Sequence, residues 1–305
     1  MCAATRFPCV DVISEAVEAL RIGRAYGRRI ETPVQQAGRF AGFEGVGFHV
    51  ILRGHGWLIS EELPPLAVGP GDIALAPYGA PHGFATEPVP LATLPLATMG
   101  PQRPPDGPVD MEFICGAYRL DDGGTVHPYL RSLPAVVTVT PDGRLAALVE
   151  VLAAEMDTPR TGTEVTRPAV VDLMLIHVLR LWNERAPEPS WPALADPGIA
   201  AALRSIHESP QEQWTVAELS RAAGLSRTAF TRRFTTLVGT PPMTYLISRR
   251  LTRGAQLLRE SDAPLSAVAR RVGYASEFAF AGAFRREFGM APGRFRRALH
   301  APDGR

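Results

Sequence analysis

From about residue 215 the apolar positions fall at helical three- and four-residue spacing, punctuated by glycine. Val216, Leu219 and Ala222–Ala223 share one face of a predicted short helix. Gly224 follows, where a sharp turn between two helices needs a positive φ. Ser226 suits the N-cap of the next helix, and Phe230 and Phe234, four apart, put their rings on one face of it. Gly239 with Pro241–Pro242 ends that helix. The same order then returns as Val268, Gly273, Ser276, Phe280, Phe284 and Gly289, offset by 49 residues at the glycine and by 50 after it. Between the copies, Pro242–Glu260 is apolar at Tyr245, Leu246, Leu251, Ala255 and Leu258. The pattern predicts an all-α C-terminal domain of two helix-turn-helix units, about 215–237 and 264–288, joined by one rigid helix.

The first 140 residues alternate differently. Val46–Leu52 is β-rich with period two, Gly54-His55-Gly56 reads as a turn, and Trp57–Ile59 as a return strand. Val68–Asp72 is a second turn, leading into Ile73–Ala76 and then Pro77–His82. Seven prolines in the 21 residues Pro88–Pro108 exclude regular helix or central strand there and predict a long loop. Helical spacing resumes at 142–185. Leu145, Leu148, Leu152 and Met156 form a stripe, and Arg167–Arg185 is apolar on most sides. A helix apolar nearly all round must be covered. The strands cover one side; the other is expected to meet a second copy, making a homodimer, with purely intrachain packing as the alternative.

Composition adds less than charge does. The chain has 305 residues, 46% of them hydrophobic, which fits two packed domains and excludes a disordered chain. No apolar run approaches the roughly 18 residues of a membrane span. Asp11, Glu15 and Glu18 interrupt any signal-peptide core, and three scattered cysteines argue against a disulfide scaffold. A cytoplasmic protein without membrane partners is expected. The net charge of +1 hides an asymmetry. Residues 1–196 carry 15 Arg against 23 Asp and Glu, a net −8, whereas residues 197–305 carry 17 Arg against 8, a net +9. A basic domain behind an acidic body points to a polyanionic partner, nucleic acid above all; the helix-turn-helix units make it double-stranded DNA. The second helix of a helix-turn-helix unit enters the major groove, and two units one duplex turn apart (roughly 34 Å) read adjacent sites.

The residues Gly273-Tyr274-x-Ser276 through Phe280, Phe284-Arg285-Arg286, Phe288-Gly289 and Pro292 resemble the signature of AraC-family bacterial transcription regulators, over about 199–299. The resemblance implies a regulator rather than an enzyme, with RNA polymerase as a further candidate partner. Carried over by position, the first recognition helix would read bases through Arg227, Thr228, Thr231 and Arg232. An arginine fork suits guanine, and a threonine methyl suits thymine. The second recognition helix departs from the family pattern: its outward positions are Glu277, Phe278, Ala281 and Gly282, and a polar residue followed by arginine is usual where Ala281-Gly282 stands. The second unit is therefore expected to add mainly phosphate contacts and shape, through Arg285, Arg286, Arg294 and Arg296.

The turn at Gly69–Asp72 and the strand ending at His82 resemble the cupin barrel, a fold common in sensor domains of AraC-family proteins. The whole chain then reads as a cupin-like β-barrel (1–140) for an effector, a helical linker and dimerisation region (141–196), and the DNA-binding domain. Phe48, Trp57, Tyr78 and Phe84 are candidates for a small-molecule effector pocket. His49, His55, His82 and Cys115 are candidate ligands for zinc or another transition metal. Against a metal, the close His-x-His pair of cupin enzymes and its following glutamate are missing. The alternative function is a metal-dependent cupin enzyme fused to a DNA-binding domain.

Overall fold

The computed structural model describes residues 11–20, 24–33, 38–97, 109–120, 126–158, 160–185 and 191–300. Cys2, Cys9 and the second half of the proline-rich stretch, 98–108, lie outside them. The described helices are α1 (Val12–Leu20), α2 (Pro128–Arg131), α3 (Gly143–Asp157), α4 (Thr163–Arg185), α5 (Pro192–Ala195), α6 (Pro197–Glu208), α7 (Val216–Ala222), α8 (Arg227–Val238), α9 (Pro242–Glu260), α10 (Leu265–Arg271), α11 (Glu277–Phe288) and α12 (Pro292–His300). The strands are β1 (Arg24–Pro33), β2 (Gly38–Phe40), β3 (Gly45–Arg53), β4 (Gly56–Ser60), β5 (Leu66–Val68), β6 (Ile73–Ala76), β7 (His82–Ala85), β8 (Val109–Arg119) and β9 (Val137–Val139). None of these helices is long and apolar enough to cross a membrane.

The chain divides into two compact units. One comprises Gly23–Leu120 and Leu130–Glu188, the sheets with α3 and α4. Its strands form two antiparallel sheets, ordered β1-β8-β3-β6-β9 and β2-β7-β4-β5. Alternation gives β3 two faces. Phe48 and Gly116 pair in register with Gly27 on the face that meets the helices. His49, opposite Cys115, points the other way into the space between the sheets. That interior is filled: Phe40, Ile51, Leu58, Phe84, Met111 and Phe113 pack together with Cys115.

The proline-rich loop is partly a packed element. Within its described part, Leu91–Thr93 makes one 3₁₀ turn, and Leu91 and Leu94 bury against Ile59 and Ala85. Helix α3 starts at Asp142, whose carboxylate accepts from the amides of Arg144 and Leu145. Helix α4 is less uniformly apolar in space than in sequence. It buries Val170, Val171, Met174, Leu175, Val178 and Leu179, ties Asp172 to the Tyr118 hydroxyl, and leaves Val165 and Leu173 exposed.

The other unit gathers the described residues of Met1–Ile22, Asp121–Tyr129 and Pro189–Arg305. The periodicity reading of its helices holds, glycine by glycine. Gly224, Gly239, Gly273 and Gly289 all have positive φ, at the turn and end of each repeat. Ser226 and Ser276 cap α8 and α11 by accepting from the amides of Ala229 and Ala279. Tyr245, Leu246, Leu251, Ala255 and Leu258 of α9 are all buried.

Candidate nucleic-acid interface

Each recognition helix is held from behind by aromatic packing. Phe230 and Phe234 of α8 lie ring to ring, and Phe234 meets Tyr245 of α9. In the second unit Phe280, Phe284, Phe288 and Phe295 form a continuous stack, with Phe280 resting over Gly254 of α9. A Cβ at Gly254 would stand 2.7 Å from that ring, so glycine permits the close approach of α11 to α9. Burying both Phe faces leaves the opposite face of each recognition helix free.

On α8 that free face carries Arg227, Thr228 and Arg232, all exposed, with Thr231 half-buried beside them. The next arginine, Arg233, is used internally, paired with Asp196. Asp196 also caps α6 through the amide of Ile199. Burial opposes ionisation of Asp196, but the Ile199 amide, the Arg233 guanidinium and the Gly198 amide outweigh it and keep its carboxyl below the usual range. On α11 the free face carries Phe278, which is 83% exposed, beside Glu277, Ala281 and Gly282. Arg285, Arg286 and Arg294 are exposed. Arg296 is half-buried and turns inward, donating to the Ala263 carbonyl at 2.7 Å.

The spacing of the two units is fixed by contacts that periodicity does not reveal. Arg250, buried on α9, donates to the carbonyls of Pro210 and Glu212, both at 2.6 Å. Gln213, in the same segment before α7, donates to the Gly273 carbonyl of the second turn at 2.8 Å. A Cβ at Gly273 would collide with the Gln211 backbone at 2.5 Å. One internal arginine and one glycine thus lock turn to turn across the pair.

A buried polar cluster also joins α1 to this unit. Glu15 bonds to His207 of α6, whose other ring nitrogen meets the Tyr245 hydroxyl at 2.8 Å, and Arg249 approaches Glu15 at 3.1 Å. Glu18 accepts from Gln256 at 2.6 Å. Burial opposes ionisation of Glu15, but the His207 hydrogen bond and the charges of His207, Arg249 and His127 outweigh it and hold its carboxyl low. Burial pushes the neighbouring His127 down to about 4. These residues carry no motif; Asp11–Glu18 reads only as the acidic start of a helix, so the sequence offers no signal for the pairing.

In the sheet unit two of the four candidate metal ligands come together. His49 and His82 face each other with Nε2 atoms 2.7 Å apart, enclosed by Phe40, Phe84 and Phe113. Burial lowers the pKa of both, so both are neutral. His82 Nδ1 lies 2.7 Å from the Ala80 carbonyl and must donate to it; His82 Nε2 then accepts from His49 Nε2. That leaves His49 Nδ1 as a buried acceptor without a hydrogen bond among the described residues. Cys115 lies opposite His49 in register, whereas His55 is exposed at the β3–β4 turn, against Gly69. Among the described residues no three His, Cys, Asp or Glu side chains gather closely enough to hold a metal ion, so the donor set does not make a zinc cage.

The four effector-pocket candidates do not converge. Phe84 belongs to the interior and Phe48 to the helix-facing side. Trp57 packs against the separate cluster of Ile59, Ala85, Leu91 and Leu94, and the Tyr78 hydroxyl lies 3.4 Å from Glu62.

Comparison with known proteins agrees with this architecture. Residues 11–184 match the family described as cupin, and residues 219–298 match a helix-turn-helix domain. A Streptomyces antibioticus protein described as an AraC-like transcription regulator is 43% identical over 175 residues, 55% of this chain and 58% of that protein. The chain thus spans just under three fifths of that relative's length. The regulator AlkR of Acinetobacter baylyi is 26% identical over 94% of this chain and 99% of its own length. Among solved structures, the DNA-binding domain of AdpA, a global transcriptional factor solved with a target DNA, is 37% identical. It covers 36% of this chain and 99% of that domain, with a TM-score of 0.34. With the cupin match extending over more than half its length, the chain belongs to the cupin family and carries a helix-turn-helix domain behind that region.

Proposed function

We propose that the chain recognises double-stranded DNA unequally with its two units. Helix α8 reads bases: the free forks of Arg227 and Arg232 suit guanine edges, and Thr228 and Thr231 offer hydroxyls and methyls. Helix α11 has no arginine or amide at its central outward positions. It holds the duplex through Arg285, Arg286 and Arg294 and touches bases only with apolar surface, the exposed Phe278 ring against thymine methyl groups. The observation that carries this reading is the asymmetry between those two free faces. Arg296 is left out of the contact set because its guanidinium is engaged with Ala263.

Fluorescence anisotropy on a selected site and on scrambled DNA tests the division of labour. Arg232→Ala is expected to cost about 1–3 kcal/mol on the selected site and much less on scrambled DNA. Arg285→Ala is expected to weaken both alike and to lower the salt slope by about 1. Equal losses on both DNAs for Arg232→Ala would reject base reading by α8.

Two further parts of the reading concern regulation. The cupin domain binds a small-molecule effector, and the chain works in the cytoplasm as a homodimer whose DNA occupancy alters access of RNA polymerase. Support for the dimer is the exposed apolar stripe of α4, where Val165 is 77% and Leu173 48% exposed, with Ala169 between them at helical spacing. Analytical ultracentrifugation of wild type and Leu173→Glu tests it: a dimer that the substitution dissociates is expected, and a monomeric wild type at micromolar concentration would reject it.

A further inference from the structure

Outside the sheet interior, the unit holds a cavity of about 90 Å³ between the helix-facing side of β1, β8 and β3 and the pair α3–α4. Its floor comes from one row of the sheet. Gly27, Gly116 and Phe48 lie side by side in register. The Phe48 ring folds over Gly116, where a Cβ would stand 2.0 Å from it. Gly27 is different: a Cβ there would meet nothing nearer than the Met156 methyl at 3.8 Å. The glycine pair therefore does two jobs, one seating a ring and the other leaving space. Ile114, Leu152 and Val171 complete apolar walls.

One wall is charged. Arg167, in the second turn of α4, lines the cavity and is half-buried. One of its terminal nitrogens donates to the Glu155 carbonyl at 3.0 Å. Its Nε is fully enclosed and has no hydrogen-bond partner among the described residues. The nearby acids do not supply that partner. The Glu155 carboxylate accepts from the Thr163 hydroxyl at 2.7 Å, and Glu164, on the rim, is exposed to solvent. Arg167 thus brings an incompletely paired guanidinium to the cavity wall, which is costly, and a carboxylate is the acceptor whose geometry fits an arginine fork.

We propose that this cavity is a binding site for a short-chain aliphatic carboxylate, its alkyl part over Gly27 and its carboxylate on Arg167. The size sets the class. The space is smaller than the 150 Å³ or so that admits benzene in an engineered core, so it takes a few carbons and excludes long acyl chains. A ligand held there spans from the sheet to α4 and braces the helix that carries the exposed Val165–Leu173 stripe. The site is independent of the DNA-binding reading.

Isothermal titration of the full chain with sodium propanoate is the test, with propanamide as the neutral isostere and dodecanoate as the oversized chain. Saturable binding of the carboxylate is expected, about tenfold or more tighter than the amide, with no binding of dodecanoate at this site. Arg167→Gln and Gly27→Val should each abolish it. Gly27→Ala, which fits without a clash, should weaken it while raising the thermal midpoint, so loss of binding is separable from loss of fold. Absence of binding to wild type would overturn the proposal. So would equal binding of the amide, or binding that survives both Arg167→Gln and Gly27→Val. No DNA enters these measurements, so their failure leaves the DNA-binding reading standing.

Discussion

Phe278 is a large apolar side chain left 83% exposed at the start of a recognition helix whose other aromatics are buried. Exposure of this degree means its truncation costs the fold little, within about 0.5 kcal/mol. Its effect belongs to the complex with DNA. Phe278→Ala is expected to weaken a thymine-containing second half-site by about 0.8 kcal/mol, the usual value for one buried methyl-sized group. Replacing that thymine by uracil removes the methyl and should produce the same loss in wild type and none in the variant. A binding cycle in which the two changes add fully would remove the methyl contact. Outward position made Phe278 legible in the sequence. The inward turn of Arg296 was not legible, because the Ala263 carbonyl that captures it lies 33 residues away and follows from packing of α12.

At the scale of elements, the repeat was readable because helices announce themselves locally. Spacing of three and four, serine caps and positive-φ glycines are all short-range properties, and every one of them stands at its expected position. How α9 holds the two units is a long-range property. Gly254 reads in sequence as a flaw in a helix, worth about 1 kcal/mol against alanine. In space it is the floor under Phe280. Gly254→Ala is therefore expected to destabilise by about 1–3 kcal/mol through overpacking rather than to stabilise α9; urea denaturation reads the sign. Arg250→Met should leave α9 helical by circular dichroism yet weaken DNA binding, because the segment before α7 loses its two donors. Unchanged affinity in that variant would show that the segment does not set the spacing.

Across the whole molecule, buried imidazoles set the response to acid. His49, His82 and His127 all have pKa values lowered by burial, His127 to about 4. In the unfolded chain a histidine takes its proton near 6.5. Between those values the unfolded state binds more protons, so stability rises with pH across the window. The contribution is fully present above about pH 6.5 and fades as pH falls through the folded values, near 4 for His127. The facing groups act unequally on His127: Glu15 favours its charged form, while His207 and Arg249 oppose it. Thermal midpoints at pH 7.5 and 5.0 are expected to fall toward acid, less steeply in His127→Gln than in wild type. A midpoint that is flat or rises toward pH 5 would show that these rings are not buried in neutral form.

The sequence alone determined the two-domain division of strands and helices, the duplicated helix-turn-helix units, the charge that separates them and the outward residues of α8 and α11. Each of these rests on spacing within about one helical turn or one strand, or on composition summed along the chain. The tertiary structure decided what depends on residues far apart in sequence: the meeting of His49 with His82, the seat of α1 on His207 and Arg249, the scattering of the four aromatic pocket candidates, and the cavity above Gly27. A one-residue change of parity sends Phe48 and His49 to opposite faces of one sheet. Only the register of β1, β8 and β3 makes two separate glycines into a floor.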